Sequence, residues 1–274
     1  MPELPEVETI RVGLEPLLVG RTFEHVEIDD ARLTRPHDPL AVSAELVGET
    51  VSALERRGKY LVVRFESGRV LLIHLRMTGS LLLVRNGNSA EDPYRRAVIR
   101  LDNNSDVAYR DVRRFGTWLL LEPGELEPYL ASRVGDELLD RRLSTQALEG
   151  LLDRRRAPIK AVLLDQRVFA GVGNIYADEA LWWAQIHPLR PAASLDRAEL
   201  RALVRGVRKS LRHGIARQGA TLRDYRGADG SAGSMQREFR VYGREGDPCT
   251  RCGTPIEKTR AGGRGSWYCP NCQV

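Results

Sequence analysis

Apolar residues recur at helical spacing at the start of the chain: Val7, Ile10, Leu14, Leu17 and Leu18. This predicts an amphipathic helix from residue 5, stopped at Gly20. Pro5 suits its first position, where the N–H it lacks would be unsatisfied anyway, and Glu6 and Glu8 favour the positive end of the helix dipole. From 22 to 121 the pattern shortens. The runs "TFEHVEI", "VSALERR", "YLVVRF", "VLLIHL", "SLLLV", "RAVIRL" and "TWLLL" are aliphatic and β-branched, with Gly, Asn or Asp between them. "SGRV" and "DNNSD" read as turns, and a helix near "PLAVSAELV" interrupts the strands. The pattern predicts a β-sandwich with helices on its flank.

After "LEPGELEPYL" the period changes to helical. "STQALEGLLDRR", "PIKAVLLDQ", "NIYADEALWWA" and "DRAELRALVRGVRKSLRHGI" each predict a helix, and Leu203, Val204, Val207, Leu211 and Ile215 form one apolar face of the last. Ser144 and Asp196 are expected N-caps, and Asn174 another. A domain boundary falls near residue 131. A glycine-rich loop spans 219–235, and short hairpin-like segments follow it.

A hydrophobic content of 42% is enough for an ordinary core, and no run of 18 apolar residues occurs. The acidic N-terminus does not resemble a signal peptide, so the default expectation is a reducing cytoplasm and no membrane. Charge distribution adds a partner. Residues 201–274 hold 15 Lys and Arg against 6 Asp and Glu, so the first 200 carry −4 of the net +5. A basic C-terminal quarter suits a polyanion, with a solvated basic face as the alternative. Only four lysines occur, Lys59, Lys160, Lys209 and Lys258, in a chain that otherwise uses arginine. A position that kept lysine points to a need for a compact, titratable ammonium.

The strongest chemical signal is cysteine spacing. "CTRC" at 249–252 and "CPNC" at 269–272 form two C-x2-C pairs. Cys249, Cys252, Cys269 and Cys272 match one structural Zn²⁺ site, closed by four thiolates with no open position for catalysis. Disulfides and chance are the alternatives. Lys258, Arg260 and Arg264 stand among glycines between the pairs and suit a phosphate or groove probe. "GVGNIYADEA" places two glycines before a helix, either to bind phosphate at its N-terminus or simply to pack. "HLRMTGS" and "DVRRFGTW" put Met77 and Phe115 beside glycines at strand ends. Met and Phe are ordinarily core residues, but Arg113 and Arg114 make that awkward, and exposed wedges between base pairs are the other reading. At the opposite end of the chain, "MPELPEV" sets Pro2 and Glu3 ahead of the first helix. Met1 before a small residue is normally trimmed, which leaves Pro2 as either a disordered stub or a secondary-amine nucleophile.

Taken in order on one chain, "MPELPEVET", "RRGKY", "HLRMTGS", "RRFG", "PIKAVLLDQ", "GVGNIYADE", "VYGREGDPC" and the terminal "CTRCGTPIEKTRAGGRGSWYCPNCQ" closely resemble the bacterial formamidopyrimidine-DNA glycosylases, from residue 1 to about 273. The resemblance implies an α+β multidomain fold: an N-terminal β-sandwich with flanking helices (1–131), a helix–two-turn–helix domain with a lesion loop (132–235), and a zinc-finger hairpin (236–274). It implies a base-excision enzyme, acting as a monomer near the bacterial nucleoid, that removes oxidised purines from double-stranded DNA and cuts the strand at abasic sites. Pro2 would be the nucleophile, Glu3 the proton donor to the sugar and Glu6 a pocket acid. Lys59, Asn174 and Arg264 would grip phosphates, with Lys59 and Arg264 in the catalytic set. Met77, Arg113 and Phe115 would fill the gap left by the flipped nucleotide. His74, Lys160, Tyr242 and Lys258 are further expected DNA contacts. Thr78, after Met77, stands where family members vary.

The competing readings are an oxidised-pyrimidine glycosylase of the endonuclease VIII type and a zinc-dependent DNA-binding protein without catalysis. "PELPE" and the full-length loop disfavour the first; Pro2, Glu3 and Lys59 disfavour the second. No G-x-S-x-G or H-E-x-x-H occurs, and the five histidines are scattered, so triad and metal-hydrolase chemistry are disfavoured.

Overall fold

The computed structural model describes residues 1–84, 92–139 and 145–274. The expected N-cap Ser144 lies outside the described residues. The chain divides into two compact units. One comprises Met1–Leu130 with Arg217–Ser234, the other Ala131–Ala216 with Met235–Val274.

In the first unit, helix α1 (Leu4–Leu18) precedes strand β1 (Phe23–Ile28) and helix α2 (Pro39–Leu46). Strands β2 (Val51–Arg57), β3 (Tyr60–Phe65), β4 (Val70–His74), β5 (Gly79–Val84), β6 (Arg95–Leu101), β7 (Asp106–Asp111) and β8 (Thr117–Leu121) follow, then a short helix α3 (Leu126–Ala131). They form two four-stranded antiparallel sheets, β1-β6-β7-β5 and β2-β3-β4-β8. Alternate apolar residues of both sheets meet in one core with Ile10 and Leu14 of α1 and Leu46 of α2. The sandwich is therefore as expected.

Strand β7 and helix α3 were not legible in the sequence. β7 begins and ends in aspartate, a residue that ordinarily marks turns. Here both side chains are buried and paired: Asp106 accepts from Arg100 at 3.0 Å, and Asp111 from surrounding N–H groups. The loop at 217–234 also departs from the expected boundary. Tyr225 and Ala228 enter the sandwich core, and Leu83 N–H donates to the Ala228 carbonyl at 2.8 Å. By packing, this loop belongs with the N-terminal unit rather than with the helices that precede it in sequence.

The second unit holds α4 (Thr145–Leu152), α5 (Ile159–Leu164), α6 (Asn174–Ala184) and α7 (Arg197–Ala216), then a hairpin of β9 (Glu257–Ala261) and β10 (Arg264–Tyr268). Asp196 caps α7 as expected, through a reciprocal pair in which Glu199 N–H donates to Asp196 at 2.8 Å and Asp196 N–H to Glu199 at 2.9 Å. Asn174 does not cap α6. Gly173 is the cap residue, and Asn174 is already the first helical residue. Among the described residues, no helix is long and apolar enough to cross a membrane.

Candidate active site and nucleic-acid interface

The start of the chain is ordered, not a stub. Pro2 is buried, and Glu3 is the N-cap of α1 in a capping box with Glu6. Pro5 sits one position further in than expected, since Leu4 is the first helical residue. Glu6 is 2% exposed, and its carboxylate accepts from Glu3 N–H at 2.9 Å and from Ala220 N–H at 2.8 Å. Glu6, the expected pocket acid, thus ties the first residues to the glycine-rich loop. The Tyr225 hydroxyl completes the tie by donating to the Glu6 carbonyl at 3.3 Å.

Register shows where the other candidates of this unit fall. Helix α1 lies along β2, with Glu8 on Arg56 at 2.9 Å and Arg11 on the Leu54 carbonyl at 3.4 Å. Its first residues therefore point toward the Gly58–Lys59 turn that closes β2 onto β3. At that same end His74 pairs with Tyr60 and with Thr117, and Gly79 pairs with Asp111. Pro2, Glu3, Lys59, His74, Met77, Arg113 and Phe115 thus gather at one end of the sandwich. No spacing in the sequence reveals this, because the end is built from three separate chain reversals and the N-terminal segment.

Lys59 is 5% exposed despite its turn. Phe115 is 51% exposed, with the Arg113 guanidinium over its ring at 4.8 Å. Arg114 turns the other way, into a bidentate pair with the buried Asp30 at 2.6 and 2.8 Å. Two adjacent arginines therefore have different employment: Arg113 is presented to solvent beside Phe115, while Arg114 anchors the loop.

His74 is buried, and its Nδ1 accepts from the Arg76 N–H at 3.0 Å, which leaves its proton on Nε2. Burial, reinforced by the charges of Arg76 and Lys59, pushes the imidazole down to about 3. It is a neutral donor at physiological pH. In the unfolded chain the same group titrates near 6.5, so its contribution to stability is complete above that pH and is lost as pH falls from 6.5 toward 3. Chemical unfolding of a His74→Asn variant should therefore show a flatter stability profile than the parent between pH 6.5 and 4, by roughly 2–4 kcal/mol across that window. Parallel profiles would mean that His74 takes up a proton in the folded protein.

In the second unit, Lys160 is fully buried. Its ammonium meets Asp178 at 2.7 Å and the Gly265 carbonyl at 2.7 Å. This corrects the expectation of a DNA contact, since a side chain without exposed surface reaches no ligand. Asp178 also accepts from the Ser266 hydroxyl at 2.8 Å and the Trp267 N–H at 3.1 Å. The next residue, Glu179, accepts from the backbone N–H groups of Arg240, Val241 and Tyr242 at about 3.0 Å. Asp178 and Glu179 thus bind the hairpin and the segment before it to α6. Neither received a role from sequence, although two carboxylates inside the apolar run "IYADEALWWA" require buried partners. Asn174 begins the same helix, and its Oδ1 is buried without a hydrogen-bond partner among the described residues. Arg264 is exposed at the hairpin tip, next to the Gly262–Gly263 turn. Lys258 pairs across the hairpin with Trp267 and reaches Glu245 at 3.4 Å; the Tyr242 ring lies 4.6 Å from that of Trp267.

The four cysteine Sγ atoms all lie within 4.8 Å of one another. A tetrahedron of thiolates at Zn–S bond length has edges of about 3.8 Å, so the cluster fits one zinc ion. The donors around it suit anionic sulfur. Cys249 Sγ accepts from Trp182 Nε1 and Arg251 N–H, and Cys269 Sγ from Cys272 N–H, each at 3.4 Å. Cys249, Cys269 and Cys272, with Trp182, Val241 and Ile256, form the small core around the site, while Cys252 is exposed.

Three family models match in order: the formamidopyrimidine-DNA glycosylase N-terminal domain over 1–118, its H2TH domain over 134–226, and the zinc finger found in FPG and IleRS over 246–274. The formamidopyrimidine-DNA glycosylase of Herpetosiphon aurantiacus is 41% identical over 275 residues and covers the whole of both chains. Two solved structures superpose with a TM-score of 0.92 at 35% identity over 99% of each chain: a Lactococcus lactis FPG mutant with Fapy-dG-containing DNA, and the Lactococcus lactis protein with abasic-site DNA. The chain belongs to the formamidopyrimidine-DNA glycosylase family, the glycosylases of base-excision DNA repair.

Proposed function

We propose that this chain excises oxidised purines, 8-oxoguanine and formamidopyrimidines, from duplex DNA and then cuts the strand at the abasic site, with the Pro2 nitrogen as nucleophile. The observation that carries this reading is the capping box, which holds a chain terminus, normally frayed, in one position at the functional end of the sandwich. With Met1 removed, Pro2 presents a secondary amine. Its lone pair attacks C1′ of the flipped nucleotide, the damaged base leaves with the glycosidic electron pair, and the proton lost from the Pro2 nitrogen neutralises the departing base. Glu3 protonates the ring oxygen, the sugar opens, and a cationic iminium remains on Pro2. That cation is the electron sink for two eliminations, first of the 3′ phosphate and then of the 5′ phosphate.

The other roles follow charge and hydrogen-bonding capacity. Lys59 and Arg264 offer cations to the backbone, Asn174 an amide at a helix start, and His74 a neutral Nε2–H. Lys258 lies on the hairpin that carries Arg264, and the Tyr242 ring packs against its Trp267. Met77, Arg113 and Phe115 occupy the space vacated by the flipped nucleotide, which suits the solvent-exposed ring of Phe115. The Fapy-dG and abasic-site DNA bound by the Lactococcus lactis relatives support this substrate class.

Duplexes carrying 8-oxoguanine, formamidopyrimidine or dihydrouracil test it directly. The first two should lose their base and be cut, leaving phosphate on both new ends. Preferential release of dihydrouracil would assign the enzyme to oxidised pyrimidines instead.

A further inference from the structure

Met77 on one side and Arg113 and Phe115 on the other belong to separate chain reversals, β4 to β5 and β7 to β8. A wedge made of both must hold them at a set spacing. The residue between them is Asp111, the last of β7 and 1% exposed. Its Oδ1 accepts from the Thr78 hydroxyl of the first reversal and from Arg113 N–H at 3.2 Å. Its Oδ2 accepts from Phe115 N–H at 2.9 Å and Gly116 N–H at 2.8 Å. Thr78 Oγ1 in turn accepts from Arg113 N–H at 3.0 Å. One buried carboxylate therefore spends both oxygens on the two segments that carry the wedge.

The surrounding packing needs such a fastening. Arg76 and Arg114 stand at φ of +52° and +59°, a region that non-glycine residues avoid, one in each reversal. Gly79 and Gly116 flank the buried Tyr109 phenol, and a Cβ at either position would overlap its hydroxyl. Both reversals are thus drawn against one aromatic ring and kept in an unfavourable backbone conformation. Without an acceptor for four donors they would relax.

The geometry points to Asp111, working with Thr78, as a positioning residue that locks the two reversals into a single wedge for opening the duplex. This rests on the proposed gap-filling role of Met77, Arg113 and Phe115. An amide cannot substitute for the carboxylate, because asparagine turns an NH2 toward two of the four donors. Thr78 has the same dependence: serine keeps its hydroxyl, whereas isosteric valine loses both of its hydrogen bonds.

The test compares Asp111→Asn, Thr78→Val, Thr78→Ser and Phe115→Ala. Each is measured for 8-oxoguanine release from duplex DNA, for cleavage of a preformed abasic site, and for amide hydrogen exchange at Arg113, Phe115 and Gly116. Asp111→Asn and Thr78→Val should slow base release about tenfold to a hundredfold, the range expected when a positioning contact is lost. Abasic-site cleavage should stay within a few-fold of the parent, and the three amides should exchange faster. Thr78→Ser should match the parent, and Phe115→Ala should reproduce the split between substrates without the change in exchange. Faster exchange with unaltered base release in Asp111→Asn would overturn the positioning role, as would unchanged exchange. Equal loss on both substrates in Asp111→Asn and Thr78→Val would overturn it in favour of a general folding contribution. A Phe115→Ala protein with parental base release would instead remove the wedge reading itself, and the proposal with it.

Discussion

Retention of Met1, or extension of the chain ahead of Pro2, is expected to abolish both base release and strand cleavage, by on the order of 10⁴-fold or more, the scale on which removal of a nucleophile acts. The physical reason is electronic. A free Pro2 nitrogen carries a lone pair that can attack C1′, whereas in a peptide bond that pair is delocalised into the carbonyl. Borohydride should reduce the iminium of the processed protein and leave a stable protein–DNA adduct, and peptide mapping should place the sugar on the N-terminal residue. Pro2→Gly restores an amine without the ring or the permanently charged iminium, so partial activity is expected. Glu3→Gln should depress base release more than cleavage of a preformed abasic site, because ring protonation precedes elimination. The competing nucleophile is Lys59, held at the same end of the sandwich and largely buried. An adduct that survives blockage of the N-terminus and disappears in Lys59→Ala would transfer the nucleophile to that lysine.

Loss of the metal should have the second-largest effect. The native protein should contain one zinc per chain, and Cys269→Ser should lose it. The finger's small core consists of Cys249, Cys269 and Cys272 with Trp182, Val241 and Ile256, which is too little to hold a two-stranded hairpin by apolar burial alone. The hairpin is expected to unfold and take Lys258 and Arg264 off the backbone. DNA affinity should fall roughly tenfold or more, and the slope of log affinity against log salt should shrink by about two contacts. The sandwich has its own core and should keep its strand signal and thermal transition. Trp182 donates to Cys249, so its emission should shift to the red as zinc leaves. A metal-free protein that bound DNA at full strength, with an unchanged salt slope, would rule out the finger as part of the interface.

Several features of this protein were determined by its sequence alone. The two C-x2-C pairs specify a thiolate cluster because metal chemistry depends on ligand type and short spacing, both local. The N-terminal helix, the sandwich strands other than β7 and the cap at Asp196 follow from period and turn chemistry, which act over a few residues. The ordered motifs from "MPELPEV" to the last cysteine pair placed the chain in its family.

Tertiary structure decided what depends on partners far away in sequence. It moved Lys160 from a DNA contact to a buried ion pair with Asp178, put Glu6 on the amide of Ala220, and sent Arg114 to Asp30 while leaving Arg113 in solvent. It also made Asp106, which reads as part of a turn, and Asp111 into the buried, paired ends of a strand. Each case turns on a buried charged group that needs a specific partner: Lys160 has Asp178, Glu6 the Ala220 amide, Asp30 the exposed Arg114, Asp106 the Arg100 of the neighbouring strand, and Asp111 the donors of two chain reversals. Local pattern identifies such a group as charged; only the fold supplies the counter-charge or the N–H that makes its burial possible.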